Sequence, residues 1–321
     1  MNQLLAVLSV LTAVAAFAAG AHAQTSSAWP TKPVRWVVPY APGGAVDVVS
    51  RIIAPRLTER IGQPVLVENR PGAASNIGSG MVAKSAPDGY TVAYVAPAIV
   101  TNPFFFAGSP DTDEFAPVIH VVSASFVLLT SNRFAPRTVA EIVALARAKP
   151  GTVSCGSPGG LSTVGCELLR SHIGANLIMV MYKGNAPAMN GIMGGELDLM
   201  FDVVSAAVGP VKGGKARAVA SLNPRRGTPP FADLATVAET LPGFELLTWH
   251  GVVAARATPR DLLRRINQHI NAALAEPEVR GRLVEAGFEI AGGSVEDFEE
   301  LIRRETAKYG KVLKEAGIKP Q

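Results

Sequence analysis

Residues 34–61 read VRWVVPYAPGGAVDVVSRIIAPRLTERI, and this stretch decides the fold class. The β-branched run Val34–Val38 is typical of a buried strand, and the Pro and Gly residues that follow it predict a turn. Val46–Ile61 then has apolar residues at helical spacing. The same strand–loop–helix order recurs over residues 64–95 and, after residue 125, up to residue 221. Repeated βαβ units predict a largely parallel sheet covered by helices, which makes the chain an α/β protein.

The two βαβ series predict two lobes, which a chain of 321 residues is long enough to form. We place the two chain crossings at residues 116–125 and 246–255, and we expect the helical tail to pack on the first lobe. A chain that visits lobe 1, lobe 2 and lobe 1 again builds a hinged clamshell. The predicted boundaries, listed together, are 24–122 and 252–321 for lobe 1 and 123–251 for lobe 2.

Residues 1–23 predict a cleaved signal peptide. Leu4–Ala19 is a nearly unbroken apolar run, and Ala21-His22-Ala23 is a small-x-small cleavage pattern. The run is short for a membrane span, and residues 1–5 depart from the usual pattern because they contain no Lys or Arg. We therefore expect a secreted, periplasmic protein, and we expect it to be a monomer.

Composition argues against several classes of function. The net charge is +4, with 30 Lys and Arg scattered among 26 Asp and Glu, so we expect no nucleic-acid partner. None of the five histidines has metal-ligand spacing to another ligand residue, and no nucleophile-elbow motif occurs. We expect no catalytic residue, no metal and no cofactor. His250, beside Trp249, is expected to be a packed histidine with its hydrogen bonds satisfied.

Cys155 and Cys166 are the only cysteines. In an oxidising compartment they could form a disulfide, and they could equally be two buried thiols. Separation in sequence leaves both possibilities open because it says nothing about the distance between the side chains.

Two loops between a strand and a helix are candidates for a ligand site. The first is Ala41–Asp47, where glycines let backbone amides approach a ligand and the helix start favours an anion. A plain strand-to-helix turn would also use Gly and Pro. Asp47 could bind a ligand ammonium group or, as we prefer, neighbouring backbone donors. The second loop is Gly156–Thr163, whose Ser162 or Thr163 could bind a ligand or cap the helix.

Several motifs occur in a fixed order along the chain. They are Ala41–Asp47 (APGGAVD), residues 67–72 (VENRPG) with 76–78 (NIG), 87–91 (PDGYT), 182–188 (YKGNAPA), 194–202 (GGELDLMFD), 249–251 (WHG) and 258–259 (TP). With them the chain resembles the Bug-type (TctC-like) receptors of tripartite tricarboxylate transporters over nearly all of residues 29–318. The resemblance implies a type II periplasmic-binding-protein fold with two α/β lobes joined by a two-strand hinge.

The resemblance also implies a carboxylate held by amides, hydroxyls and water between the lobes. The residues it nominates are Ala41, Gly43, Gly44, Ala45, Asp47, Ser75, Asn76, Ala96, Pro97, Ala98, Ser157, Gly159, Gly160, Ser162, Thr163 and Asp202. Val46 stands where this family often has Thr, Ser75 where Gly is common, and no His follows Thr163. These departures indicate a re-shaped pocket, so the ligand cannot be copied from a relative.

Three functions remain open from the sequence. The first is a receptor for a small carboxylate (a di- or tricarboxylate, acidic amino acid or aromatic acid) that delivers it to the permease subunits of a tripartite tricarboxylate transporter. The second is a receptor read by a membrane sensor kinase. The third, less favoured, is a hydrolase or isomerase on a similar fold.

Overall fold

The computed structural model describes residues 29–158, 160–182, 184–223, 226 and 231–320. The predicted signal peptide therefore lies outside the described residues. The strands are β1 Val34–Val38, β2 Val65–Asn69, β3 Thr91–Val95, β4 Phe115–Thr130, β5 Ser154–Ser157, β6 Ile178–Met181, β7 Leu199–Val203, β8 Arg217–Ser221, β9 Leu247–Ala255 and β10 Glu289–Ile290. The helices are α1 Ala45–Ile61, α2 Asn76–Ala83, α3 Ala98–Phe105, α4 Val139–Ala148, α5 Gly160–Ile173, α6 Asn185–Gly194, α7 Val204–Lys212, α8 Arg260–Leu274, α9 Pro277–Glu285 and α10 Val295–Glu315.

The first lobe is built on three parallel strands in the order β2-β1-β3. Strand β9 continues that sheet antiparallel to β3, and β4 follows antiparallel to β9. The strand β1 lies in the middle, and its Trp36, Val37 and Val38 are buried, since helices cover both faces of such a sheet. The carboxyl ends of β1, β2 and β3 therefore meet at one edge, where a ligand of an open α/β sheet binds.

The second lobe repeats this arrangement around the other end of β4. Residues Phe126–Thr130 pair with β7 and β8, and β7, β5 and β6 follow in parallel. Strand β4, at 16 residues, therefore belongs to both lobes. It pairs with β9 from Phe115 to Ser125, which makes these two strands the connection between the lobes. The predicted lobe boundaries fall inside β4 and β9, and they stay predictions.

The C-terminal helix α10 packs more widely than the sequence predicted. It contacts β4 and α3, as expected of a tail on the first lobe, but it also contacts α5 of the second lobe. At 21 residues, α10 extends for about 30 Å, which is long enough to reach both lobes. Its buried residues Phe298, Ile302, Tyr309 and Leu313 join one apolar cluster with residues of both lobes. In the part of the chain that the structure describes, no helix has the length and apolar character needed to span a bilayer.

Candidate functional site

The loop between β1 and α1 is organised by Asp47. Its carboxylate accepts hydrogen bonds from the amide of Gly43 at 2.9 Å, from Nε of Arg51 at 3.0 Å and from Nδ2 of Asn69 at 2.9 Å. Burial raises the pKa of Asp47, but the bonds from Arg51, Gly43 and Asn69 outweigh it and the pKa is lowered. Asp47 is therefore ionised and bonded to neighbouring donors, which is the interpretation that the sequence favoured.

The same contacts determine which amides of the loop are open to a ligand. The Gly43 amide is used by Asp47, so a ligand contact of Gly43 through its amide has no support. The amides of Gly44 and Ala45 donate to no described residue, and residues 41–45 are exposed. They lie at the start of the 17-residue helix α1, where unpaired donors and a partial positive charge favour an anion.

The loop after β2 is held in a strained conformation. Ala73, Ala74 and Ser75 have φ values of 45°, 53° and 83°, a region that residues with a side chain rarely adopt. Asn102 of α3 fixes the loop, because its Nδ2 donates to the carbonyl of Ala74 at 2.7 Å and to Oδ1 of Asn76 at 2.8 Å. Nδ2 of Asn76 donates to Ser109 at 2.8 Å, so the Asn76 side chain supports the loop. Strain of this kind is often found at functional sites.

Tyr40 is a candidate site residue that the sequence analysis did not name. The hydroxyl groups of Tyr40 and Ser75 are buried, and neither has a hydrogen-bond partner of normal geometry among the described residues. Burial raises the pKa of Tyr40 to about 12, while the neighbouring Ser75 hydroxyl and Ala96 backbone lower it. The ends of β1, β2 and β3 thus bring Tyr40, Ser75 and Ala96 together. The signal in the sequence was alternation: Trp36 and Val38 share one face of β1, and Tyr40, two residues beyond its end, packs against the same apolar cluster.

The loop after β3 is short and leads directly into α3. Pro97 is buried and precedes the helix, and Ala96 and Ala98 are half-buried beside it. The carbonyl of Pro97 accepts the amides of Val100 and Thr101 at 2.9 and 3.1 Å. The predicted residues Ala41, Gly44, Ala45, Ser75 and Ala96–Ala98 therefore lie in three loops at one edge of the first sheet.

The second predicted loop, between β5 and α5, is tied together differently. The hydroxyls of Ser157 and Thr163 lie 2.8 Å apart and are hydrogen-bonded, and Ser162 beside them is also buried. Gly160 is exposed with a φ of 56°, and Gly159 lies outside the described residues. A disulfide joins Cys155 in β5 to Cys166 in α5, which resolves the alternative that the sequence left open. The bridge closes the loop at its base.

Asp202 lies at the carboxyl end of β7 and is 1% exposed. Its Oδ1 accepts from Nδ2 of Asn185 at 2.7 Å and from the amide of Val203 at 2.8 Å. Burial raises the pKa of Asp202 against these two bonds, which lower it. The side chain is thus engaged within the protein, and a direct ligand contact of Asp202 stays a prediction.

Two histidines lie on the strands that connect the lobes. Burial lowers the pKa of His120 to about 4 and that of His250 to about 3, so neither carries a charge at neutral pH. His250 is packed against Tyr94 and Phe288, as expected, but its Nδ1 has no partner among the described residues and is not satisfied. The described residues contain no group of three or more His, Cys, Asp or Glu side chains able to hold a metal.

Comparison with known proteins identifies the family. The model of the tripartite tricarboxylate transporter family receptors (TctC) matches residues 49–318. The chain belongs to this family. Its members are periplasmic solute-binding proteins, so the chain is a receptor and not an enzyme.

Individual relatives are similar to this chain over almost its whole length. A protein encoded in the tcbD-tcbE intergenic region of Pseudomonas sp. (strain P51) is 36% identical over 94% of this chain and 92% of its own length. The structure of Rpa4515 from R. palustris with adipate is 33% identical, with a TM-score of 0.76, over 91% of this chain and 100% of that one. MatC from Rhodopseudomonas palustris with bound malate is 27% identical, with a TM-score of 0.72, over 89% and 100%. The two-lobe periplasmic-binding-protein fold is thereby confirmed.

Proposed function

We propose that this receptor binds a small carboxylate between its lobes and delivers it to the permease subunits of a tripartite tricarboxylate transporter. The observation that carries the proposal is the set of open donors at the edge of the first sheet. The amides of Gly44 and Ala45 and the hydroxyls of Tyr40 and Ser75 have no partner of normal geometry among the described residues. The buried hydroxyls of Tyr40 and Ser75 cost free energy while they are unpaired, and a carboxylate would satisfy them together with the exposed amides of Gly44 and Ala45.

The charges around the loop support a ligand held by neutral donors. Arg51 in the second turn of α1 is already paired with the Asp47 carboxylate at 3.0 Å. Each neutral hydrogen bond adds only about 0.5–1.5 kcal/mol, so several donors must act together. The relatives solved with adipate and malate support an acid as ligand.

The second lobe would complete the site by closing over the ligand. The hydroxyls of Ser157, Ser162 and Thr163 and the start of α5 are its proposed contribution. Residues 1–23 would direct the protein to the periplasm as a signal peptide. The family's description as transporter receptors favours delivery to a permease over a sensor kinase.

A thermal-shift screen with adipate, malate and other small carboxylates tests this function. A ligand that binds the folded state raises the melting temperature by mass action. Gly44 has φ −75°, and a Cβ there would touch only the carbonyl of Ala41 at 3.6 Å, so Gly44→Val should fold normally and lose the shift. Gly43→Val is less informative, because its φ of 81° would strain any side chain.

Gly281→Val provides the matched control. Gly281 is an exposed glycine of α9 with open space around it, so this variant should keep the full shift. A shift that survives in Gly44→Val, or no shift with any acid, would show that the proposed function is wrong.

A further inference from the structure

A cavity of about 570 Å³ lies beside the loop of the second lobe. Ser157, Gly160 and Thr163 line it, so it adjoins the residues proposed above as the ligand loop. Its volume is within the range of about 300–1,000 Å³ that small-molecule sites occupy.

The walls of this cavity are mainly apolar and come from both lobes. Phe105 and Phe106 contribute from the end of α3, and Met179, Met181 and Tyr182 contribute from β6 and its end. Phe106 is 42% exposed and Met181 is 73% exposed, although burying a large apolar side chain is favourable by about 1.5–3 kcal/mol. Methionine side chains adapt their shape to an apolar partner. A ligand with an apolar body would cover these side chains.

The charged groups of the cavity do not suit a second carboxylate. Glu167 lines the cavity and is 7% exposed, and it is paired with Arg170 at 2.6 Å. Arg170 lines a neighbouring cavity instead, and Lys319, the only cation among the described lining residues, is exposed on the C-terminal tail. Solvent strongly screens the exposed charge of Lys319. The described lining residues therefore include no buried cation that could pair with a second carboxylate.

We propose that the preferred ligand is a monocarboxylic acid with an apolar aliphatic or aromatic body. This inference rests on the proposed function, in which the acid's single carboxylate would bind the open donors of the first lobe. Ser157, Gly160 and Thr163 of the second lobe belong both to that proposed site and to the lining of this cavity. The body of the acid lies against Phe105, Phe106, Met179 and Met181. A dicarboxylate of the same length is disfavoured, because its second charge is desolvated against apolar walls and Glu167.

Calorimetric titration with hexanoate and adipate tests the inference, since these six-carbon acids differ only in the second carboxylate. Hexanoate should bind at least about tenfold more tightly, and 3-phenylpropanoate should follow hexanoate. Equal or tighter binding of adipate would overturn the inference and leave the proposed function standing. Failure of all three acids, and of the carboxylate screen, would overturn both.

Variants of the apolar wall give an independent test. Met181→Ser and Phe106→Ser should each weaken hexanoate binding about three- to tenfold, with little effect on thermal stability because both side chains are exposed. Ile178→Ser is the matched control, since Ile178 is a 46% exposed residue of the same strand that does not line the cavity. Equal weakening of hexanoate binding by Met181→Ser and Ile178→Ser would overturn the proposal. It would also be overturned if Met181→Ser reduced self-association of the protein without changing hexanoate binding.

Discussion

The two candidate ligand loops are held in place by different chemistry. In the first lobe, the Asp47 carboxylate gathers Gly43, Arg51 and Asn69 through hydrogen bonds. In the second lobe, a covalent bond between Cys155 and Cys166 closes the loop, and two hydroxyls bond to each other inside it. The first loop thus keeps amides open for an anion, while the second adjoins an apolar cavity. Under the two proposals above, the first loop would bind the charged end of the ligand and the second would contact its body.

Removing the disulfide should have the largest effect on stability. Cys155→Ala with Cys166→Ala opens a loop with a sequence separation of 11, which should lower the free energy of unfolding by about 3 kcal/mol. Chemical denaturation measures the loss. Hydrogen exchange should then show faster amide exchange at residues 156–163 and unchanged exchange at residues 39–47. Equal loss of protection in both loops would contradict the conclusion that the disulfide and the Asp47 contacts hold the two loops independently.

Asp47→Ala should affect the first loop alone. It leaves the Gly43 amide without its acceptor and removes one of the two acceptors of Nδ2 of Asn69, which keeps the Tyr40 carbonyl at 3.1 Å. We therefore expect a loss of about 2 kcal/mol in the free energy of unfolding. Asp261→Ala is the control, because Asp261 is also in the first turn of a helix but is 99% exposed. A control variant that is destabilised as much as Asp47→Ala would show that the Asp47 contacts add nothing.

Tyr40→Phe should separate ligand binding from stability. The Tyr40 hydroxyl has no hydrogen-bond partner of normal geometry among the described residues, so its removal should leave the melting temperature unchanged or higher and weaken carboxylate binding about three- to tenfold. Tyr94→Phe removes another buried hydroxyl without a described partner, in the interior beside Trp36. Titration of both variants should show weaker binding only for Tyr40→Phe. A matching loss in Tyr94→Phe would remove Tyr40 from the site.

Acid should weaken the Asp47 contacts of the first loop and leave the disulfide of the second loop unchanged. Because the pKa of Asp47 is lowered in the folded protein, its stabilisation is present above the unfolded value of about 3.9 and is lost as the pH falls through the folded value. The stability difference between the wild type and Asp47→Asn should therefore shrink below about pH 4. The difference between the wild type and the double cysteine variant should stay constant over the same range. If both stability differences changed with pH in the same way, the loss of stability below about pH 4 could not be assigned to Asp47.

Most of the regular structure was predictable because it follows local patterns. The sequence patterns predict strands over residues 34–38 and 91–95, which β1 and β3 match. They predict helices over residues 259–274 and 295–316, and α8 and α10 begin and end within one residue of these bounds. Helices α3 and α7 were missed, and each contains a proline inside it, Pro103 and Pro210. Helix α1 also contains a proline, Pro55, but its 17 residues are enough to show helical spacing, whereas α3 and α7 have only 8 and 9 residues. A short sequence interrupted by proline gives no helical signal on its own.

The sequence by itself determined the alternation of strands and helices, the two glycine-rich loops and the family motifs, because these depend on neighbouring residues. Only the tertiary structure placed Tyr40 beside Ser75 and Ala96, brought Asn69 to Asp47 and joined Cys155 to Cys166. Tyr40, Ser75 and Ala96 are separated by 20 residues or more. They meet because β2, β1 and β3 are neighbours in the sheet, and the order of strands depends on packing of the whole chain.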